Sequence, residues 1–208
     1  MTFTKICGLS APETLDAALR GGASHVGLVF FAASPRNVDY DRAAELAARV
    51  PAHVRRVGVF VDPADEVLER ASAHIDVVQL HATAPSRAAT IRAKLAREVW
   101  AAVAVRTRAD LDLARSYTDA ADRILYDAKT PEGAALPGGM GVRFDWALLD
   151  GFRHPLPWVL SGGLDPSNVA EAIRRTGAPL VDVSSGVESA PGVKDVDKIA
   201  AFLKAARL

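Results

Sequence analysis

The chain holds one thiol, Cys7, in the run Lys5-Ile6-Cys7-Gly8. A lone cysteine has two readings: an inert buried hydrophobe, or a thiolate that removes a proton where it faces an anion-binding cleft. Asp127 follows the apolar run Ile124-Leu125-Tyr126. It reads as a cap or loop carboxylate, or as a general acid whose proton is retained by partial desolvation. Arg36, in Ser34-Pro35-Arg36-Asn37, is a surface charge or a guanidinium that grips a substrate carboxylate in a bidentate fork. His81, in Gln79-Leu80-His81, is a hydrogen-bonding loop residue or a candidate substrate contact. The turns Ser161-Gly162-Gly163 and Ser184-Ser185-Gly186 are each ordinary turn chemistry alone. As a pair they read as a phosphate clamp built from backbone N–H groups.

These residues need elements that bring them together. Eight short β-rich runs recur: Phe3–Cys7, His25–Phe30, Arg56–Val61, Val77–Leu80, Val99–Val105, Arg123–Tyr126, Trp158–Leu160 and Leu180–Val183. Helical spacing separates them, over Ala11–Arg20, Asp41–Arg49, Ala64–Ala73, Ser86–Arg97, Ala109–Tyr117, Phe144–Leu149, Pro166–Arg175 and Val196–Ala206. Alternating strands and helices imply βαβ units and a parallel sheet, and eight repeats in 208 residues fit one (β/α)8 barrel domain, residues 1–208. The strands are apolar on both faces, as a layer between barrel interior and helical shell must be. Ser10, Asp62-Pro63 and Asp165-Pro166 read as polar-then-proline helix entries. Every candidate above then stands at a strand's carboxyl end, where barrels build their sites. Lys5 shares the face of Cys7, and closure of the first strand on the eighth is expected to pair it with Asp182 beneath the thiol. The irregular stretch from Ala128 to Arg143 follows the sixth strand, and a loop of that length is expected to be functional.

Composition removes other classes. Twenty-five basic residues balance twenty-five acidic ones, so no global field recommends nucleic acid or an anionic membrane. One cysteine forms no internal disulfide and no four-cysteine zinc site. No signal region opens the chain, and no apolar run approaches the roughly 20 residues of a spanning helix. A soluble cytoplasmic protein with a small-molecule ligand is expected.

Several runs together resemble the phosphoribosylanthranilate isomerase family. They are Lys5-Ile6-Cys7-Gly8, Gln79-Leu80-His81, Gly138-Gly139-Met140-Gly141 with Phe144-Asp145-Trp146, Ser161-Gly162-Gly163-Leu164 with Asn168-Val169, and Asp182 through Glu188 followed by Pro191 through Asp195. The likeness spans the whole chain in order. It implies the third step from chorismate to tryptophan, an Amadori rearrangement of N-(5′-phosphoribosyl)anthranilate to 1-(o-carboxyphenylamino)-1-deoxyribulose 5-phosphate. It places the general base at Cys7, the general acid at Asp127, and the arginine that binds the anthranilate carboxylate at Arg36. The phosphate falls on the backbone amides of Gly162, Gly163, Ser185 and Gly186. No metal or organic cofactor is implied, and the loop after the sixth strand is expected to close over the substrate. Ala82 and Met140 depart from the family's frequent glycine and threonine.

Rival readings are weaker on the residues present. A metal-dependent epimerase needs several histidine and aspartate ligands at strand ends, yet only His81 among five histidines ends a run. An indole-forming synthase looks for strand-end lysines, whereas Lys5 precedes the mouth and Lys129 lies beyond Asp127. A dual isomerase acting also on a histidine-pathway aminoaldose would carry a carboxylate in place of Cys7. A ligand-binding barrel without activity would need neither acid nor base. No heptad seam marks an oligomer, and a monomer is favoured.

Overall fold

The computed structural model describes residues 2–130 and 141–207. Among them, β1 (Phe3–Cys7), β2 (His25–Val29), β3 (Arg55–Val61), β4 (Val77–His81), β5 (Glu98–Val105), β6 (Arg123–Ala128), β7 (Trp158–Leu160) and β8 (Leu180–Val183) form a closed parallel barrel. Neighbours in sequence are neighbours in the sheet, and β8 returns to β1 with Lys5 opposite Asp182. The expected (β/α)8 architecture is therefore present, with strand limits within two residues of those read from the sequence.

Period-two alternation divides the strand side chains into two cores. Inward residues Cys7, Val29, Val57, Val59, Val77, Trp100, Leu125, Val159 and Leu180 fill the barrel. Outward residues such as Ile6, Val26, Leu28, Val78, Ile124 and Val181 pack under the helices. Lys5, Gln79, Asp127 and Asp182 have the inward parity, so the polar groups of β1, β4, β6 and β8 converge on the axis.

The helices α1 (Pro12–Arg20), α2 (Tyr40–Arg49), α3 (Asp65–Ala71), α4 (Pro85–Leu95), α5 (Val169–Thr176) and α6 (Val196–Ala205) lie in the shell. Two segments expected as helices are 3₁₀ instead: Arg108–Tyr117, and the single turn Trp146–Leu149. Thr107 and Asp110 cap the first of these reciprocally, while Asp145 caps the second through Ala147 N. The polar-then-proline entries are also corrected. The boundary residues of α1 and α3 are Ala11 and Ala64, which carry no capping oxygen. Pro12 occupies the first turn of α1, so the helix begins too late for Ser10 to cap it. Asp165 instead accepts from Ser167 N and Asn168 N in a turn that delays α5 to Val169. The side-chain caps belong to Asp39 before α2 and Asp195 before α6. Among the described residues no helix is long and apolar enough to cross a membrane.

After β8 the chain makes one 3₁₀ turn, Ser185–Val187, and a small antiparallel hairpin of β9 (Glu188–Ala190) and β10 (Val193–Lys194) before α6. No strand pattern in the sequence marks this hairpin. It lies across the rim of the mouth, against the loop after β2 that holds Pro35 and Arg36.

Candidate active site

A cavity of about 840 Å³, counting its open mouth, occupies the carboxyl end of the barrel. Cys7, Arg36, His81, Asp127, Gly162, Gly163 and Ser185 all line it. Gly186 does not line it and sits behind the wall, against the Leu164 carbonyl. Gln79, Ser161, Asp182 and Ser184 add polar groups to the lining.

Cys7 is buried on β1 at its last residue, and the inward parity of the strand aims its sulfur at the axis. Gly27 on β2 makes room for it, because a Cβ there would stand 2.9 Å from Cys7 Sγ. Below it, fully buried Lys5 donates from Nζ to Asp182 Oδ1 at 2.9 Å, the pairing expected from closure. Ser161 Oγ donates to Asp182 Oδ2 at 3.1 Å. Burial pushes the Cys7 thiol above its ordinary value, while the charge of Lys5 draws it down without overcoming burial. Around this thiol, desolvation thus outweighs the nearby cations.

Asp127 lies near the end of β6, with Ala128 after it still in the strand. Burial, and then the Asp182 charge, push its carboxyl up to about 7. Its Oδ1 accepts from Ala128 N at 2.9 Å. Gly162 passes close beside it at φ +83°, where an added Cβ would meet Ala128 N at 2.5 Å and Asp127 Oδ1 at 3.1 Å. Only glycine fits that approach and that φ together. The N–H groups of Gly162 and Gly163 meet no backbone acceptor among the described residues, and they border the cavity beside Ser185.

His81 Nε2 lies 2.8 Å from Gln79 Nε2. Burial lowers the imidazole to about 4, so the ring is neutral and accepts this bond from the amide. Among the described residues Gln79 Oε1 has no hydrogen-bond partner, although the residue is buried. Arg36 reaches the cavity from the loop after β2, but it is no loose surface charge: its Nε and Nη2 donate to Glu188 Oε1 and Oε2 at 2.7 and 2.8 Å. Burial alone would raise Glu188, yet the bonds from Arg36 and the charge of Lys194 hold it down to about 2. The sequence shows Glu188 only as the last residue of the Asp182-to-Glu188 run, because its partner is 152 positions away. Most of the segment expected to close over the mouth, including Gly138, Gly139 and Met140, lies outside the described residues.

A mouth that combines one buried thiol, one carboxyl of raised proton affinity, a guanidinium and two small-residue turns suits proton transfer on a phosphorylated carboxylate ligand. Known proteins agree with the geometry. The family model for N-(5′-phosphoribosyl)anthranilate (PRA) isomerase matches residues 4–205. N-(5′-phosphoribosyl)anthranilate isomerase of Zymomonas mobilis subsp. pomaceae is 53% identical over 99% of this chain and 98% of its own length. That of Paramagnetospirillum magneticum is 53% identical over 98% and 96%. Among solved structures, phosphoribosyl anthranilate isomerase from Thermotoga maritima superposes with a TM-score of 0.85 at 37% identity, over 100% of this chain and 99% of its own. A phosphoribosyl anthranilate isomerase in complex with reduced 1-(o-carboxyphenylamino)-1-deoxyribulose 5-phosphate gives 0.83 at 35%, with the same coverage. With its matches running almost end to end, the chain belongs to the N-(5′-phosphoribosyl)anthranilate (PRA) isomerase family.

Proposed function

We propose that this chain, acting as one barrel domain over residues 1–208, converts N-(5′-phosphoribosyl)anthranilate to 1-(o-carboxyphenylamino)-1-deoxyribulose 5-phosphate in tryptophan biosynthesis. The observation that carries the reading is that Cys7 and Asp127 line the same cavity, with Asp127 raised to about 7 so that it holds a proton near neutrality. Asp127 gives its proton to the furanose ring oxygen. The C1′–O bond breaks as the nitrogen lone pair forms the Schiff base. Cys7, as thiolate, then takes the C2′ proton, and the electron pair returns to nitrogen through an enolamine that tautomerises to the ketone. Arg36 receives the anthranilate carboxylate, and the backbone amides at Gly162, Gly163, Ser185 and Gly186 receive the phosphate. Gly186 stands behind the lining, so its part is to present its amide from the turn rather than to touch the ligand broadly. His81 acts by holding the Gln79 amide rather than by moving a proton, since its ring is neutral and already bonded.

The chemistry needs no electron acceptor, so the acid and base suffice without a cofactor. All the groups named come from one chain, which supports a working monomer, and the substrate's pathway supports a cytoplasmic location. The test follows loss of substrate fluorescence as freshly made N-(5′-phosphoribosyl)anthranilate is consumed, with background decay subtracted. Cys7→Ala and Asp127→Ala are each expected to lose roughly 100-fold or more in kcat. Turnover in either variant within a few-fold of wild type would remove that residue from the mechanism.

A further inference from the structure

One carboxylate at the rim gathers four donors. Glu188 Oε1 accepts from Arg36 Nε at 2.7 Å and from Lys194 Nζ at 2.7 Å. Its Oε2 accepts from Arg36 Nη2 at 2.8 Å and from Gly192 N at 3.2 Å. The donors come from separate parts of the mouth: Arg36 from the loop after β2, Gly192 from the hairpin turn and Lys194 from β10. Lys194 Nζ also donates to Ser184 O at 2.9 Å, and Ser184 Oγ donates to Cys7 O at 3.4 Å. The hairpin turn itself rests on the arginine's loop, with Gly192 against the Pro35 carbonyl. Glu188 and Lys194 are both buried.

Burying such charges is poorly explained by stability, because an interior ion pair barely exceeds an apolar replacement. Orientation explains it better. An arginine has four rotatable side-chain bonds, and a carboxylate that takes Nε and Nη2 together fixes the plane of the guanidinium before any ligand arrives. We propose that Glu188 is a positioning residue for the isomerase reaction: through its two-point grip on Arg36 it aims the guanidinium into the cavity for the carboxylate on the ligand's aromatic ring. The inference rests on the reading that Arg36 receives that carboxylate, and the experiment separates the two.

Reductive amination of ribose 5-phosphate with anthranilate gives a stable secondary amine that keeps the phosphate, the chain and the carboxylate. The same reaction with aniline gives its partner without the carboxylate. Both are titrated calorimetrically into wild type, Glu188→Gln, Glu188→Asp and Arg36→Met. Wild type is expected to prefer the carboxylated ligand by roughly 30-fold, and Glu188→Gln and Arg36→Met by no more than about threefold. Glu188→Asp, which keeps the charge on a shorter arm, is expected to fall between them. A purely structural role would weaken both ligands alike and leave the ratio at the wild-type value in Glu188→Gln, which overturns the proposal. If Glu188→Gln does not fold, Glu188→Asp decides, and a wild-type ratio there overturns it equally. A preference that survives in Arg36→Met instead overturns the underlying assignment of Arg36.

Discussion

Cys7 and Asp127 must be in opposite protonation states when the substrate arrives, yet burial raises the proton affinity of both. With Asp127 at about 7 and the thiol above its ordinary 9.0, the competent form, thiolate with protonated carboxyl, is a minority at every pH. The sign of the pH dependence follows. Below 7 the carboxyl is protonated and the thiol is not ionised, so kcat/KM rises by about tenfold per unit with the thiolate fraction. Above 7 the loss of the Asp127 proton offsets the gain in thiolate and the profile flattens. Past the thiol's own pKa it falls. The expected profile is therefore a plateau whose lower edge belongs to the acid and whose upper edge belongs to the base. Because Cys7 is the sole cysteine, thiolate absorbance in the ultraviolet titrates it directly. A thiol that ionises below 7 in the free enzyme would overturn this ordering. Residue identities at strand ends were legible because period-two alternation and the apolar runs place Cys7, His81 and Asp127 at the mouth. Their proton affinities were legible only in part: desolvation already pointed to a retained proton on Asp127, whereas the thiol's depends on how fully the closed barrel buries it against the pull of Lys5.

At the scale of elements, strands were read almost to the residue because their apolar runs have sharp polar edges. Helix entries were read less well. The pattern Ser-Ala-Pro-Glu suggests Ser10 as cap, but Pro12 fixes the first turn and leaves Ala11 at the boundary. The run Arg108–Tyr117 has helical apolar spacing, Leu111, Ala114 and Tyr117, yet that i, i+3 spacing fits a 3₁₀ turn as well as an α-helix. The hairpin of β9 and β10 is too short to show a strand period, so Glu188 could not be placed from sequence. Asp195, just beyond it, does the work of an N-cap: its carboxylate accepts from Asp197 N and Lys198 N and starts α6, which packs on α1 to cover the junction of β8 with β1. Asp195→Ala is expected to remove about 1 kcal/mol of stability, and so about 2–4 °C of Tm for a chain of this size. A scanning calorimetry trace unchanged from wild type would show that the cap is not what anchors α6.

Closure is the property of the whole molecule on which the site depends, and Lys5 with Asp182 sits at its seam. The two residues are 177 positions apart, yet β1 and β8 place them directly opposite, fully or almost fully buried, and 2.9 Å apart. A charged pair in a barrel interior does little for stability on balance, because desolvation cancels most of the attraction. Removing one partner is different, since it strands the other charge in an apolar layer. Lys5→Met is therefore expected to destabilise the barrel by about 3–5 kcal/mol, and Lys5→Met with Asp182→Leu by much less, since the double variant leaves no buried charge. Activity should separate from stability in the double variant. On Asp127 the raising effect of Asp182 and the lowering effect of Lys5 go together, whereas on the thiol the loss of Lys5, which draws its pKa down more than Asp182 raises it, prevails. The double variant should fold yet turn over slowly, its Cys7 titrating higher than in wild type. Denaturant melts and the thiolate titration on the same three proteins would decide it. A double variant as unstable as Lys5→Met would make the pair a structural tie, whereas one with wild-type turnover would detach the barrel floor from the chemistry above it.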